Sequence, residues 1–118
     1  MADFNWAIDW PLTTYKLEAY LYRGIEHANM GENDAAIADY EMAEALEPKL
    51  YLEEHQKSTF AQAFENRGLS SGNDDKAIED YTKAIEINPN SASSFFHRGV
   101  AYSWKWEYDL VQHEPQKR

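Results

Sequence analysis

One stretch of this chain occurs twice, and that repetition limits its fold more than any other feature. Ala35-Ala-Ile-Ala-Asp-Tyr-Glu-Met-Ala-Glu-Ala-Leu-Glu-Pro48 aligns without a gap on Lys76-Ala-Ile-Glu-Asp-Tyr-Thr-Lys-Ala-Ile-Glu-Ile-Asn-Pro89, so Ala36, Ile37, Asp39, Tyr40, Ala43 and Pro48 recur 41 residues later. Upstream lies a second recurring element, seen as Tyr20-x-x-Arg23-Gly24, Phe64-x-x-Arg67-Gly68 and Phe95-x-x-Arg98-Gly99. The elements therefore alternate along the chain, and one such unit cannot bury its apolar face alone. Stacked neighbours bury it together.

Both elements read as helices. Ala36, Ile37, Tyr40 and Ala43, and likewise Ala77, Ile78, Tyr81, Ala84 and Ile85, fall at the i, i+3, i+4, i+7 spacing that makes a single apolar stripe. Asn33-Asp34 and Asn73-Asp74 supply N-cap side chains and negative charge at the starts. Pro48 and Pro89 stop the helices because proline cannot donate the next backbone bond. Gly31-Glu-Asn-Asp and Ser70-Ser-Gly72-Asn-Asp are short turn-forming stretches, which predicts that consecutive helices fold back as antiparallel hairpins.

The series Tyr20-x2-Arg23-Gly24-x2-His27, then Ala36-x3-Tyr40-x2-Ala43-x4-Pro48, resembles the tetratricopeptide repeat (TPR). Phe64 to Pro89 gives a second match and Phe95 to about Val111 a partial third, so the resemblance runs from about residue 17 to about residue 111. It implies an all-α, right-handed α-solenoid of antiparallel hairpins with about two and a half repeats. Small residues have a physical task in such a stack: Gly24 and Ala36 stand where two helices cross closely, and Ala43 lets the next repeat dock.

The expected organisation is one domain over residues 1–118. Repeat 1 covers about 17–50, repeat 2 about 58–91 with an N-terminal extension 51–57, partial repeat 3 about 92–114, and 1–16 form a cap or arm. Three departures stand out. Gly68 precedes Ala77 by nine residues where Gly24 precedes Ala36 by twelve, which predicts a shortened first helix or a different turn in repeat 2. Tyr51 to about Lys57 contain no glycine or proline and are expected to extend the following helix, with a surface loop as the alternative. In repeat 3, Tyr108-Asp-Leu-Val-Gln-His-Glu begins like a second helix that Pro115 cuts to about two turns.

Composition excludes several classes of function. Eleven Lys and Arg against twenty-one Asp and Glu give a net charge of -10, with no basic cluster beyond Lys117-Arg118, so a nucleic-acid partner is not expected. No cysteine is present, which removes thiolate chemistry and Cys-based zinc sites and fits a reducing compartment. With no basic start, no apolar signal stretch and no membrane-length apolar run, the expected location is the cytoplasm, with no membrane partner. None of the four histidines forms a His-x-x-x-His pair, and no Gly-x-Ser-x-Gly or phosphate-loop pattern occurs. Neither a metal, a cofactor nor a catalytic residue is therefore predicted.

Function is expected on the concave wall, which the resemblance assigns to the first helix of each repeat. The residues flanking its glycines are Leu21, Tyr22, Ile25 and Asn29, then Glu65, Asn66 and Leu69, then Phe96, His97, Val100, Ser103 and Trp104. One TPR class clamps a chaperone's C-terminal carboxylate with Lys, Asn and Arg, but here only Asn66 fits while Leu21, Ile25, Ser93 and His97 occupy the other places. A largely apolar and aromatic lining suits an apolar helix or extended peptide, so the chain reads as a protein-binding adaptor. The alternative is a homodimer through exposed aromatic ends, Phe4, Trp6, Trp10 and Leu12 at one and Trp104, Trp106, Tyr108, Leu110 and Val111 at the other. A small enzyme, or an acidic inhibitor of a basic protein, is the remote third reading.

Overall fold

A computed structural model describes residues 13–113. Within them the chain forms five helices and no strand: α1 (Thr13–Asn29), α2 (Asn33–Leu46), α3 (Glu54–Leu69), α4 (Asp74–Ile87) and α5 (Ala92–His113). Helices α1 and α2 make one hairpin and α3 and α4 the next, while α3 also touches both helices of the first hairpin and α5 lies against α4. The aromatic segment Phe4 to Leu12 and the stretch from Glu114 onward lie outside the described residues.

The repeated stripe forms the core. Ala36, Ile37, Tyr40 and Ala43 of α2 are buried against Phe60, Ala61, Ala63 and Phe64 of α3, and Leu52 is inserted beside them from the connector. A smaller cluster of Ala77, Tyr81 and Ala101 joins α4 to α5. Gly31 and Gly72 turn the chain between the helices of each hairpin at φ values of 79° and 67°, a backbone region open to glycine at little cost.

Glycine also sets how closely the helices meet. A Cβ at Gly24 would lie 2.8 Å from Cε1 of Phe60 and 3.1 Å from Cβ of Asp39, and one at Gly68 would lie 2.7 Å from Cε1 of Tyr81. Because these rings sit in the core, they have little room to retreat.

Several local expectations are corrected. Asn33 does not cap α2: the helix begins one residue sooner than a cap there requires, Glu32 precedes it, and the Glu32 carboxylate turns to His27 Nδ1 at 2.6 Å. Asn73 does cap α4, its side chain accepting the Lys76 N–H at 2.9 Å. The 51–57 extension does lengthen α3, but only from Glu54 onward, where the Gln56 side chain reaches back to accept the Glu53 N–H at 2.9 Å. Helix α3 is nonetheless 16 residues long against 17 for α1, so the first helix of repeat 2 is not shortened. Its motif has instead moved toward the turn: α1 continues five residues past Gly24, whereas α3 ends one residue past Gly68.

The stunted second helix of repeat 3 is not a separate element. Residues 92–113 form one continuous helix, because nothing between Gly99 and His113 supplies the glycine, proline or asparagine that breaks the chain at Gly31 and Gly72.

The close crossings make opposite predictions for two glycines. Gly24→Ala should lower stability by about 1–2 kcal/mol, overpacking outweighing the gain in helix propensity. Gly99→Ala, with nothing within 4 Å of the new Cβ, should raise stability by up to ~1 kcal/mol in urea denaturation.

Burial, with Glu44 adding to the effect, also pushes the Tyr40 hydroxyl well above its ordinary value. A raised folded pKa keeps this contribution intact below about pH 10 and removes it as the pH climbs beyond. The melting temperature should therefore fall above about pH 10, and Tyr40→Phe should flatten that decline.

Candidate functional site

Each hairpin is closed by the same ion pair. Arg23 Nε and Nη2 donate to the two carboxylate oxygens of Asp39 at 2.9 and 2.6 Å, and Arg67 repeats the geometry on Asp80 at 3.1 and 2.8 Å. Asp39 is only 3% exposed and Asp80 6%, so both carboxylates depend on the forked guanidinium for the bonds that water would otherwise provide. The Asp39 contact in turn raises the Arg23 pKa above its usual value. The displaced motif of α3 still meets its aspartate in the same forked geometry.

The two junctions between repeats differ in chemistry. At the first, Tyr40 meets the rings of Phe60 and Phe64 at centroid distances of 5.2 and 5.7 Å, an aromatic contact at the centre with the Asn66–Asn33 and Lys83–Glu44 contacts beside it. At the second, Tyr81 meets His97 at 5.8 Å, and the link from α3 to α5 is polar. Glu65, buried at 3% exposure, accepts hydrogen bonds from the Ser93 and Ser94 hydroxyls at 3.0 and 3.1 Å, while His97 Nε2 lies 3.4 Å from its second oxygen.

This arrangement divides the predicted wall residues. Leu21 and Glu65 are corrected: Leu21 belongs to the core at 6% exposure and Glu65 to the junction, so neither is open to a ligand. Ile25 packs partly against the core and His97 is engaged by Glu65 and Tyr81. Tyr22, Asn29 and Leu69 are exposed, while Asn66 is half-buried and donates to Asn33 Oδ1 at 3.4 Å. Phe96, Val100, Ser103 and Trp104 share one open side of α5, with Phe96 and Trp104 exposed by 66% and 63%.

Between α1 and α3 runs a groove of about 270 Å³, lined by Ala28, Asn29, Asn33, Thr59, Gln62 and Asn66 among others. Its lining is amide, hydroxyl and methyl, so this part of the wall is more polar than the largely apolar and aromatic lining expected. Counting wall positions of repeat 2 from Gly68 misses Thr59 and Gln62. Counting twelve residues back from Ala77 reaches Glu65, which lies four residues before the end of α3 much as Gly24 lies five before the end of α1.

A family profile for the TPR repeat matches residues 66–103, which hold the end of α3, all of α4 and the first half of α5. The chain is a tetratricopeptide-repeat protein. Its curated relatives include the Photosystem I assembly protein Ycf3 of a Synechococcus strain, 34% identical over 101 residues that cover 81% of this chain and 54% of the relative. A second is the Photosystem I assembly protein Ycf3 of a Prochlorococcus marinus strain, 29% identical over 94 residues, covering 78% and 52%. The TPR chain thus spans about half the length of the curated relatives it matches. No solved structure matches it significantly. Among the described residues, no helix is long and apolar enough to cross a membrane, and no set of three or more His, Asp or Glu side chains converges as a metal site.

The polar junction yields a prediction. Glu65→Ala leaves the buried Ser94 hydroxyl without its acceptor and should cost about 2–3 kcal/mol, whereas Glu65→Gln, which keeps an acceptor oxygen, should cost less. Hydrogen exchange should show protection lost first in residues 92–101, before α1 and α2.

Proposed function

We propose that this TPR chain is a non-enzymatic adaptor of the cytoplasm that holds an apolar helix or extended segment of another protein against the open side of α5. The observation that carries the reading is the row Phe96, Val100, Trp104, spaced four residues apart and exposed on a helix whose opposite side is fixed to α4. Two large rings held in water at helical spacing are costly unless something covers them, and aromatic anchors of this kind dominate binding energy when buried.

The relatives supply a context. Both are assembly proteins for a photosystem, and a scaffold that shelters an apolar segment of an unassembled protein is suited to such work. The amide-lined groove between α1 and α3 complements the aromatic row by offering hydrogen bonds to the backbone of an extended segment. The chain's charge of -10 favours a segment flanked by basic residues, since like charge would slow its approach.

The experiment is affinity capture from a native extract with the wild-type chain and a Phe96→Ala/Trp104→Ala double variant, followed by titration of the captured protein. The double variant should bind about tenfold or more weakly, equivalent to ~1.4 kcal/mol or more. Equal affinity of the two chains for the captured protein would show that this side of α5 is not the binding face.

A further inference from the structure

The third copy of the aromatic-x-x-Arg-Gly element, on the last described helix, differs from the first two in what faces it. Arg23 lies over the ring of Tyr20 at 5.7 Å, Arg67 over Phe64 at 5.6 Å and Arg98 over Phe95 at 5.5 Å, so all three guanidinium groups are poised alike by their aromatic neighbour. Arg23 and Arg67 are then met by Asp39 and Asp80 from the following helix. Among the described residues Arg98 has no carboxylate partner and donates only to Thr82 Oγ1, at 3.3 Å.

The glycine beside each arginine repeats the contrast. A Cβ at Gly24 or Gly68 would strike atoms of the following helix, Asp39 Cβ at 3.1 Å and Tyr81 Cε1 at 2.7 Å, but at Gly99 nothing lies within 4 Å. With roughly 100° between successive helical residues, Phe95, Gly99, Tyr102, Trp106 and Leu110 fall on one side of α5. That side is turned away both from α4 and from the Phe96 row. Its four large side chains are 46–65% exposed, against 2% for Phe64 at the matching place in repeat 2.

We propose that this second open side of α5 is a receptor for one further helix of the chemistry found in α2 and α4, carrying alanine and, three and four residues on, aspartate and an aromatic residue. The aspartate or the aromatic residue would lie over Gly99, as Asp39 does at Gly24 and Tyr81 at Gly68, and the aspartate would engage Arg98 in the forked geometry of the two complete hairpins. The charge match selects this occupant over a generic apolar peptide: an approaching carboxylate finds a guanidinium already oriented by Phe95 and bonded only to a hydroxyl. The surface is distinct from the Phe96 row and does not depend on the adaptor reading.

The test uses the full chain and a fluorescein-labelled peptide of residues 73–89, whose sequence holds Ala77, Asp80 and Tyr81. Anisotropy should report saturable binding with a dissociation constant of about 100 μM or tighter. Gly99→Leu, which meets open space and should leave the melting temperature at or above wild type, should weaken binding tenfold or more. An Asp80→Asn change in the peptide should weaken it similarly, whereas Phe96→Ala in the chain should leave it unchanged, which separates this face from the Phe96 row. No saturable binding, or binding indifferent to Gly99→Leu, would overturn the proposal. Self-association of the chain that Gly99→Leu abolishes and the peptide does not compete would assign the face to a second copy and overturn it equally.

Discussion

Asp39 and Asp80 are carboxylates taken almost wholly out of water in the middle of helical hairpins, where an unpaired charge would cost several kcal/mol. Each is tolerated because an arginine from the preceding helix supplies two parallel N–H donors. That requirement constrains how the helices of a hairpin face each other, since guanidinium and carboxylate must meet across the crossing in both repeats. The adjoining glycine makes the alignment close, and the close approach lets Phe60 fill the notch above Gly24. Core packing contributes the bulk of the stability, but the ion pair specifies which packing is adopted.

The consequence runs along the solenoid. Both hairpins carry the pair and a filled notch, and at the first junction the next repeat docks chiefly through aromatic rings. At the second junction Tyr81 meets His97, and α3 is tied to α5 by the Ser93 and Ser94 hydroxyls on the Glu65 carboxylate. The last helix therefore sits on a polar clasp with two of its sides uncovered, and the surfaces available to other molecules gather there.

Much of this is legible in the sequence. The repeated stripe from Ala36 to Ala43 identifies the core side of α2, and the glycine-bearing turns identify the hairpins, because both signals are local and periodic. What escapes is the register of α3. The motif Phe64-x-x-Arg67-Gly68 invites alignment on its glycine, yet the extra residues before it lengthen the helix at its start and displace the motif toward the turn. Leu21 and Glu65 are misplaced for related reasons: their exposure depends on how neighbouring helices are set, which one repeat's spacing does not encode. The absence of a break after Gly99 is visible in the sequence but is outweighed by the expectation of a complete hairpin.

The central claim is that arginine and aspartate act together to set each hairpin, and a double-mutant cycle on the first pair tests it most directly. Urea denaturation of wild type, Arg23→Ala, Asp39→Ala and the double variant gives their coupling free energy. The account predicts about 1.5–3 kcal/mol, with the double variant more stable than the sum of the single losses implies. A coupling below about 0.5 kcal/mol would mean that the two side chains act independently, and the pair could not be what aligns the helices.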